Sequence, residues 1–214
     1  MITVFGEGRG FRVVWLLEEM GLAHSLRPVD LLSDVRQDTA FMAINPAGFI
    51  PALQDGDVTV VESIAIMQYL MARYGPTRLA PRPDDPAYPA YLQFLHLGEA
   101  GLSVPLNVVW VSRNLAPEVE RHNWVSRWAL ETAESRLGLV TRQLANSPYL
   151  AGATFTAADI SVTYALEQGQ RQGSLVLGPT EQAYVDRTSG RDAYKRAMET
   201  CHDTRAWAAK ALGR

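Results

Sequence analysis

The sequence predicts an α/β domain followed by an all-helical domain, and three observations support this. In the first 75 residues, short apolar runs alternate with segments of helical periodicity. Between Gly75 and Pro89, five prolines fall within fifteen residues, a composition typical of a linker. Beyond this segment no convincing strand pattern appears. We therefore expect domains at residues 1–78 and 90–214, joined by a linker at 79–89.

The elements of the first domain follow the order β-α-β-α, then a hairpin, then a last helix. The predicted elements are a strand at Ile2–Phe5, a helix at Phe11–Met20 stopped by Gly21, an edge strand at Ser25–Leu31 containing Pro28, a weak helix at Asp34–Ile44, hairpin strands at Ala52–Leu53 and Val58–Val61 around Asp55-Gly56, and a helix from Ile64 to Tyr74 with Ser63 as N-cap. A parallel strand pair followed by a hairpin predicts a mixed sheet covered by helices.

The second domain is expected to contain helices alone. They are predicted at Ala90–Arg113, Pro117–Asn146, Ala157–Gln172 and Asp192–Leu212. Pro105 should kink or split the first of these. Thr156 and Asp159 have the spacing of a capping box at the start of the third, so we interpret Asp159 as a folding residue.

Composition excludes several classes of function. The net charge of -3 without a basic run disfavours nucleic-acid binding. Apolar runs fall short of the roughly 20 residues that span a bilayer, and the N-terminus lacks the features of a signal peptide. Cys201 is the only cysteine, which precludes a disulfide framework and fits a reducing cytoplasm. The four histidines lack metal-ligand spacing, so we expect no metal.

Three ordered motifs are more specific than the composition. They are Asn45-Pro46-Ala47-Gly48-Phe49-Ile50-Pro51-Ala52-Leu53 followed by Glu62-Ser63-Ile64-Ala65-Ile66, the helix from Arg12 to Gly21, and Tyr149-Leu150-Ala151-Gly152 with Thr156-Ala157-Ala158-Asp159. Together they resemble the glutathione transferase family, of the bacterial cytosolic type, over nearly the whole chain. The resemblance implies a thioredoxin-like N-terminal domain and an all-helical C-terminal domain.

The resemblance also implies where glutathione binds. A cis bond before Pro51 would turn the backbone of Ile50, next to Phe49, toward the cysteinyl part of the ligand as an added strand. Ser63 would donate to the γ-glutamyl carboxylate and Glu62 would accept from the ammonium, at a helix N-terminus that favours an anion. The structural alternatives are a trans proline that opens an edge strand and a Ser63 that only caps its helix.

The segment after the first strand departs from the family. Members usually place a Tyr, Ser or Cys there to activate the glutathione thiol, but Phe5 to Phe11 contains no hydroxyl and no thiol. The position falls near Glu7 or Gly8. We expect Gly8 and Arg9 to lie near the sulfur, because a glycine N–H approaches closely and a cation stabilises a thiolate. The alternative for Arg9 is a solvated loop side chain.

Gly6, Gly8 and Gly10 also suggest a dinucleotide-binding loop. That hypothesis is disfavoured because the sixth position, Phe11, is not glycine and only Asp30 is available as the later acid.

The resemblance implies a cytoplasmic homodimer that conjugates glutathione to a small hydrophobic electrophile, with peroxide reduction as a second activity. The alternative is a non-catalytic glutathione-binding or interaction module of the same fold, favoured by the missing hydroxyl. Glu99, Ser103 and Asn107, at four-residue intervals, share one face of a helix. The resemblance implies that this helix lines the cosubstrate cleft, where these residues would meet the substrate or the dimer interface; a solvated stripe is the other interpretation. The identity of the electrophile is not predicted.

Overall fold

The computed structural model describes residues 1–31 and 34–201, which form two compact units. Unit 1 consists of Met1–Pro76 together with the described residues from Arg191 on, and unit 2 consists of Thr77–Gly190. The division differs from the predicted one, since the last helix groups with the first unit and not with the second. The predicted end of that helix, at Leu212, lies outside the described residues.

Unit 1 contains a mixed four-stranded sheet, as predicted. Its strands are β1 (Ile2–Phe5), β2 (His24–Arg27), β3 (Ala52–Asp55) and β4 (Val58–Val61), in the order β2-β1-β3-β4. β1 is parallel to β2 and antiparallel to β3, which forms the hairpin with β4. β2 lies at an edge, which agrees with Pro28 directly after it, but it ends four residues earlier than expected.

The described residues contain nine α-helices. They are α1 (Gly10–Met20), α2 (Thr39–Ile44), α3 (Ser63–Tyr74), α4 (Tyr88–His96), α5 (Val104–Asn114), α6 (Trp124–Leu144), α7 (Ala157–Arg171), α8 (Pro179–Ser189) and α9 (Asp192–Thr200). Gly21 ends α1 with a φ of 65°, the left-handed conformation that glycine adopts at little cost. This confirms the predicted helix stop.

The helix α9 packs on α1 within unit 1. The ring of Tyr194 meets the rings of Phe11 and Trp15 edge-on, at centroid distances of 5.3 and 4.9 Å. Arg191 donates to both carboxylate oxygens of Glu19, at 2.6 and 2.7 Å. The first helix of the chain is therefore covered partly by its last described helix.

Pro105 is accommodated without breaking its helix. A π-helical segment, Leu97–Ser103, joins α4 to α5 and ends two residues before the proline, which is the second residue of α5. Proline cannot donate to a carbonyl of the preceding turn. Arg136 supplies donors there instead, from Nη1 to the carbonyl oxygens of Ala100 at 3.2 Å and Gly101 at 3.4 Å. A change of helix type thus replaces the expected kink.

The continuous helical run from Tyr88 to Asn114 is longer than the apolar runs expected from sequence. It has 27 residues, and its most apolar 18-residue window has a mean hydropathy of 1.2, so it could cross a membrane by length and composition alone. However, 56% of its most apolar window is buried inside the protein. This burial is typical of a core helix, for which the same length and composition are common.

Two helix starts in unit 2 differ in how well sequence predicted them. α6 begins at Trp124 and not at Pro117, because Asn123 accepts from the N–H of Ser126 at 2.9 Å and His122 adopts a φ of 58°. α7 begins with the predicted capping box of Thr156 and Asp159.

The Asp159 carboxylate is fully buried and accepts from three groups besides the Thr156 hydroxyl. These are the N–H groups of Leu150 and Thr156, at 2.9 and 2.8 Å, and the hydroxyl of Tyr184, at 3.1 Å. Burial raises the pKa of this carboxyl to about 6, although each of these hydrogen bonds opposes the shift. Asp159 therefore has the structural role expected from the sequence.

Candidate functional site

The glycine-rich loop between β1 and α1 packs directly on the segment before β3. A Cβ atom at Gly6 would lie 2.2 Å from Cγ2 of Ile50, and φ at Gly6 is +82°, so only glycine fits there. A Cβ at Gly10 would lie 3.4 Å from Cβ of Pro51. The loop and the Ile50-Pro51 segment, which the sequence predicted to meet the thiol and the peptide of one ligand, are thus neighbours.

Several backbone donors of the loop and of the first residue after it are used within the protein. Gly6 N–H donates to the carbonyl of Arg27 at 2.8 Å, and Gly10 and Phe11 donate to carbonyls of the loop itself at 3.0 Å. Within the described ranges, the N–H of Gly8 donates to no protein acceptor. Gly8 is half-buried, and Arg9 beside it immediately precedes α1. A backbone donor therefore remains available close to the helix N-terminus.

The backbone before Pro51 is held in place and open to a partner. The Ile50–Pro51 peptide bond is cis, as the resemblance implied. The Asn45 side chain donates to the carbonyl of Phe49 at 2.7 Å and fixes this loop. In the part of the chain that the structure describes, neither the N–H nor the C=O of Ile50 is hydrogen bonded. The Phe49 side chain is 37% exposed beside it.

The start of α3 differs from its predicted form. The helix begins at Ser63 itself, so the residue before it is Glu62 and the expectation of Ser63 as N-cap is wrong. Glu62 has a φ of 71°, rare for a residue with a side chain, and its side chain makes no capping bond. Ser63 is buried and Glu62 exposed. The N-terminus of α3 is therefore not capped by its own N-cap side chain.

Sequence reasoning missed the residue behind Ser63. Arg12 in α1 is fully buried, and its Nη1 donates to Oγ of Ser63 at 3.1 Å. The signal in the sequence was an arginine enclosed by the apolar run Phe11 to Leu17, because buried arginines almost always have partners. Its partner, 51 residues away, could not be identified without the fold.

The three polar residues predicted on one face of a helix lie in different environments. Glu99 is half-buried, Ser103 is buried and Asn107 is exposed. The π-helical segment explains the difference, because it changes the angular spacing between residues before and after it. Four-residue intervals therefore do not place these side chains on a common stripe.

The other reactive groups that the structure describes do not form a second centre. Cys201 follows α9, where burial and, to a lesser degree, the charge of Glu7 raise the pKa of its thiol to about 12. A thiol with such a pKa is a poor nucleophile. Among residues 1–31 and 34–201, no group of three or more His, Cys, Asp and Glu side chains is arranged to hold a metal ion.

The chain combines a thioredoxin-like unit, which has an open strand-like segment, with a helical unit, and this combination defines the class of protein. Comparisons with known proteins identify the family. The family described as "Glutathione S-transferase, N-terminal domain" matches residues 10–73. Glutathione S-transferase 3 of Zea mays is 31% identical over 200 residues, 87% of each chain. The chain belongs to the glutathione S-transferase family of enzymes.

Solved structures agree with this assignment. A theta class glutathione S-transferase from Xanthomonas axonopodis pv. citri, with glutathione bound, is 27% identical with a TM-score of 0.74, and the match covers 92% of this chain and 96% of that one. A glutathione transferase from Phanerochaete chrysosporium, in complex with oxidized glutathione, has a TM-score of 0.82 at 24% identity, with 94% and 96% covered. The second likeness shows the fold.

Proposed function

We propose that this protein conjugates glutathione to a small hydrophobic electrophile. The thiolate of glutathione attacks the electrophilic carbon, a carbon–sulfur bond forms, and the leaving group departs with its electron pair. The thiol proton goes to solvent. We propose reduction of an organic peroxide as a secondary activity: the same thiolate attacks the peroxide oxygen and releases the alcohol, and a second glutathione then displaces water to give glutathione disulfide.

The observation that carries the proposal is the contact between the glycine loop and Ile50. The free N–H and C=O of Ile50 suit the cysteinyl backbone of glutathione, which would pair with them as an extended strand. Phe49 and Pro51 would flank it. From there the cysteinyl side chain would extend toward Gly8, since a Cβ at Gly8 would lie 3.6 Å from Cδ1 of Ile50.

The amino-acid head of glutathione is assigned to the start of α3. The carboxylate would accept from Ser63 and from the open N-terminus of the helix, while the ammonium would be paired with Glu62. A zwitterion needs one partner of each kind, and these adjacent residues supply both.

We assign activation of the glutathione thiol to a backbone N–H group and to nearby positive charge, and not to a side-chain hydroxyl. The unused N–H of Gly8 would donate to the sulfur, and the positive end of α1 with Arg9 would favour the thiolate. The competing function, a glutathione-binding module without chemistry, is favoured by the absence of Tyr, Ser and Cys from Phe5 to Phe11. Both functions require glutathione binding, but only the first requires a lowered thiol pKa.

Ultraviolet difference absorbance of the bound thiolate against pH separates the two functions. We expect a midpoint about one unit or more below the value of about 8.5 for a free thiol. S-methylglutathione provides the background, because it binds but cannot ionise. An unshifted midpoint on saturated protein would support the binding module and exclude the transferase.

Two charge-matched variants test the role of Arg9 in the same titration. Arg9→Gln should raise the thiol midpoint, because it removes a cation beside the proposed sulfur position. Arg73→Gln removes the same charge from an exposed position in the last turn of α3 and should leave the midpoint unchanged. Equal midpoints for the two variants would remove Arg9 from the mechanism.

The remaining parts of the proposal concern the cosubstrate and the assembly. Because Glu99, Ser103 and Asn107 do not share one stripe and Ser103 is buried, we assign only Glu99 to the neighbourhood of the electrophile, and we propose a cytoplasmic homodimer. Turnover with a panel of apolar electrophiles by Glu99→Gln protein tests the first assignment, and sedimentation velocity tests the second.

A further inference from the structure

Arg12 is fully buried, and burying its charged guanidinium costs free energy of folding. It lies in the first turn of α1 among Phe11, Val13 and Val14, which are nearly or wholly excluded from solvent. Removing a guanidinium from water is expensive unless its donors are used. One of those donors, Nη1, is used on Oγ of Ser63 at 3.1 Å.

This hydrogen bond has only one possible direction. A guanidinium carries donors and no acceptor, so Arg12 must donate and Ser63 must accept. The hydroxyl hydrogen of Ser63 therefore cannot point at Arg12 and must face another direction. Ser63 is the first residue of α3, where an external carboxylate is favoured.

We propose that Arg12 is a positioning residue that fixes Ser63 as a hydrogen-bond donor toward the ligand. With Ser63 held as a donor, the carboxylate of the amino-acid head lies at Ser63, and the ammonium lies on the side of Glu62. The inference rests on the proposed function, since it assumes that the head of glutathione binds at this helix start.

The arrangement makes the site selective for a carboxylate at that end of the ligand. The test compares glutathione with 4-aminobutyryl-cysteinyl-glycine, which retains the amine and lacks only the α-carboxylate. A hydrogen bond to a charged group corresponds to a preference of about tenfold or more. We expect wild-type protein to bind glutathione by at least about this factor more tightly in calorimetry.

Arg12→Met and Ser63→Ala should each lower this preference to less than about threefold. The double variant should lower it no further, because both changes remove the same hydrogen bond to the ligand. Arg73→Met, at the exposed end of α3, is the matched control and should retain the wild-type preference. Circular dichroism and thermal unfolding check that each variant is folded.

A purely structural role for Arg12 gives a different result. Arg12→Met would then weaken both ligands by the same factor and leave the preference unchanged, which would overturn the proposal. If that variant does not fold, Arg12→Gln replaces it. Glutamine can either donate or accept, so the preference should fall between those of wild type and Ser63→Ala, and a wild-type value would equally overturn the proposal.

The outcomes for the two proposals are distinct. Wild-type protein that binds neither ligand contradicts the proposed function itself. Wild-type protein that discriminates between the ligands, together with an Arg12→Met protein that discriminates equally well, contradicts only the role of Arg12.

Discussion

The helices α3 and α7 begin with similar residue types but use them in opposite ways. At α7 the chain supplies its own carboxylate: Asp159 is fully buried and accepts from the backbone N–H of Thr156 at 2.8 Å. At α3 the preceding residue, Glu62, makes no side-chain capping bond and is exposed with a φ of 71°. One helix start is closed by the protein, and the other is open.

The difference shows how to distinguish a folding motif from a binding motif of similar composition. A helix N-terminus needs acceptors for its N–H groups. Where the protein provides them from a buried side chain, the motif stabilises the fold. Where its own N-cap side chain provides none and the backbone is held in a rare conformation, the acceptor is expected from a ligand.

The largest effect that tests this comparison is a loss of stability at α7. Asp159→Ala would leave the N–H groups of Leu150 and Thr156 and the hydroxyl of Tyr184 without their acceptor, and should lower the free energy of unfolding by about 3–5 kcal/mol. Ser63→Ala removes one acceptor from Arg12 and should cost about 1 kcal/mol. Urea denaturation measures both. If the two variants lost similar amounts of the free energy of unfolding, the proposed difference between the two helix starts would be wrong.

The pH dependence of stability gives the next largest effect. The pKa of Asp159 is raised by burial from 3.8 to about 6, so between these values the folded protein keeps a proton that the unfolded chain releases. Its contribution to the free energy of unfolding therefore falls as pH rises from about 4 to about 6, by up to about 3 kcal/mol.

The matched reference for this measurement is Asp159→Asn, which does not titrate. The difference in the free energy of unfolding, wild type minus variant, should decrease across this window and be flat above it. A difference that increases with pH would show that the folded-state pKa is lowered and not raised.

The smallest effect concerns the backbone before α3. Glu62→Gly should raise the free energy of unfolding by about 1 kcal/mol, because glycine adopts a positive φ without strain, and should weaken glutathione binding. Glu62→Gln keeps the strain and removes the charge, so it should weaken binding without a gain in stability. If the Glu62→Gly protein gained stability and bound glutathione as tightly as wild type, the strained backbone and the side chain of Glu62 would have no role in binding.

Local signals predicted much of the fold. Gly21 as a helix stop and the capping box at α7 each depend on residues close in sequence, and the structure has both. The hairpin is also present, but its turn lies at Gly56-Asp57, one residue later than the predicted Asp55-Gly56, because Asp55 ends β3 and pairs with Val58. The cis bond at Pro51 followed from the resemblance to the family. At the site, the proximity of the glycine loop to Ile50 was expected from the same motifs.

The features that sequence did not predict depend on distant partners or on competing local choices. Arg136 donates hydrogen bonds to the helical run before Pro105. Because Arg136 is more than thirty residues away in sequence, this contact could not be predicted, and a kinked or split helix was expected at Pro105. The helix α6 begins after Asn123, whose side chain caps it, and not at Pro117 as predicted. The role of Arg12 required the contact with Ser63, which only the folded chain creates.

The position of α9 has a consequence for dissecting this enzyme. Because the chain leaves the first unit after Pro76 and re-enters it at Arg191, the second unit is an insertion in topological terms. A fragment that ends at Pro76 would lack the ring of Tyr194 and would expose Trp15, whose side chain is otherwise fully buried. A minimal version of the first unit therefore has to carry α9 as well as the segment up to Pro76, joined by a linker in place of residues 77–190.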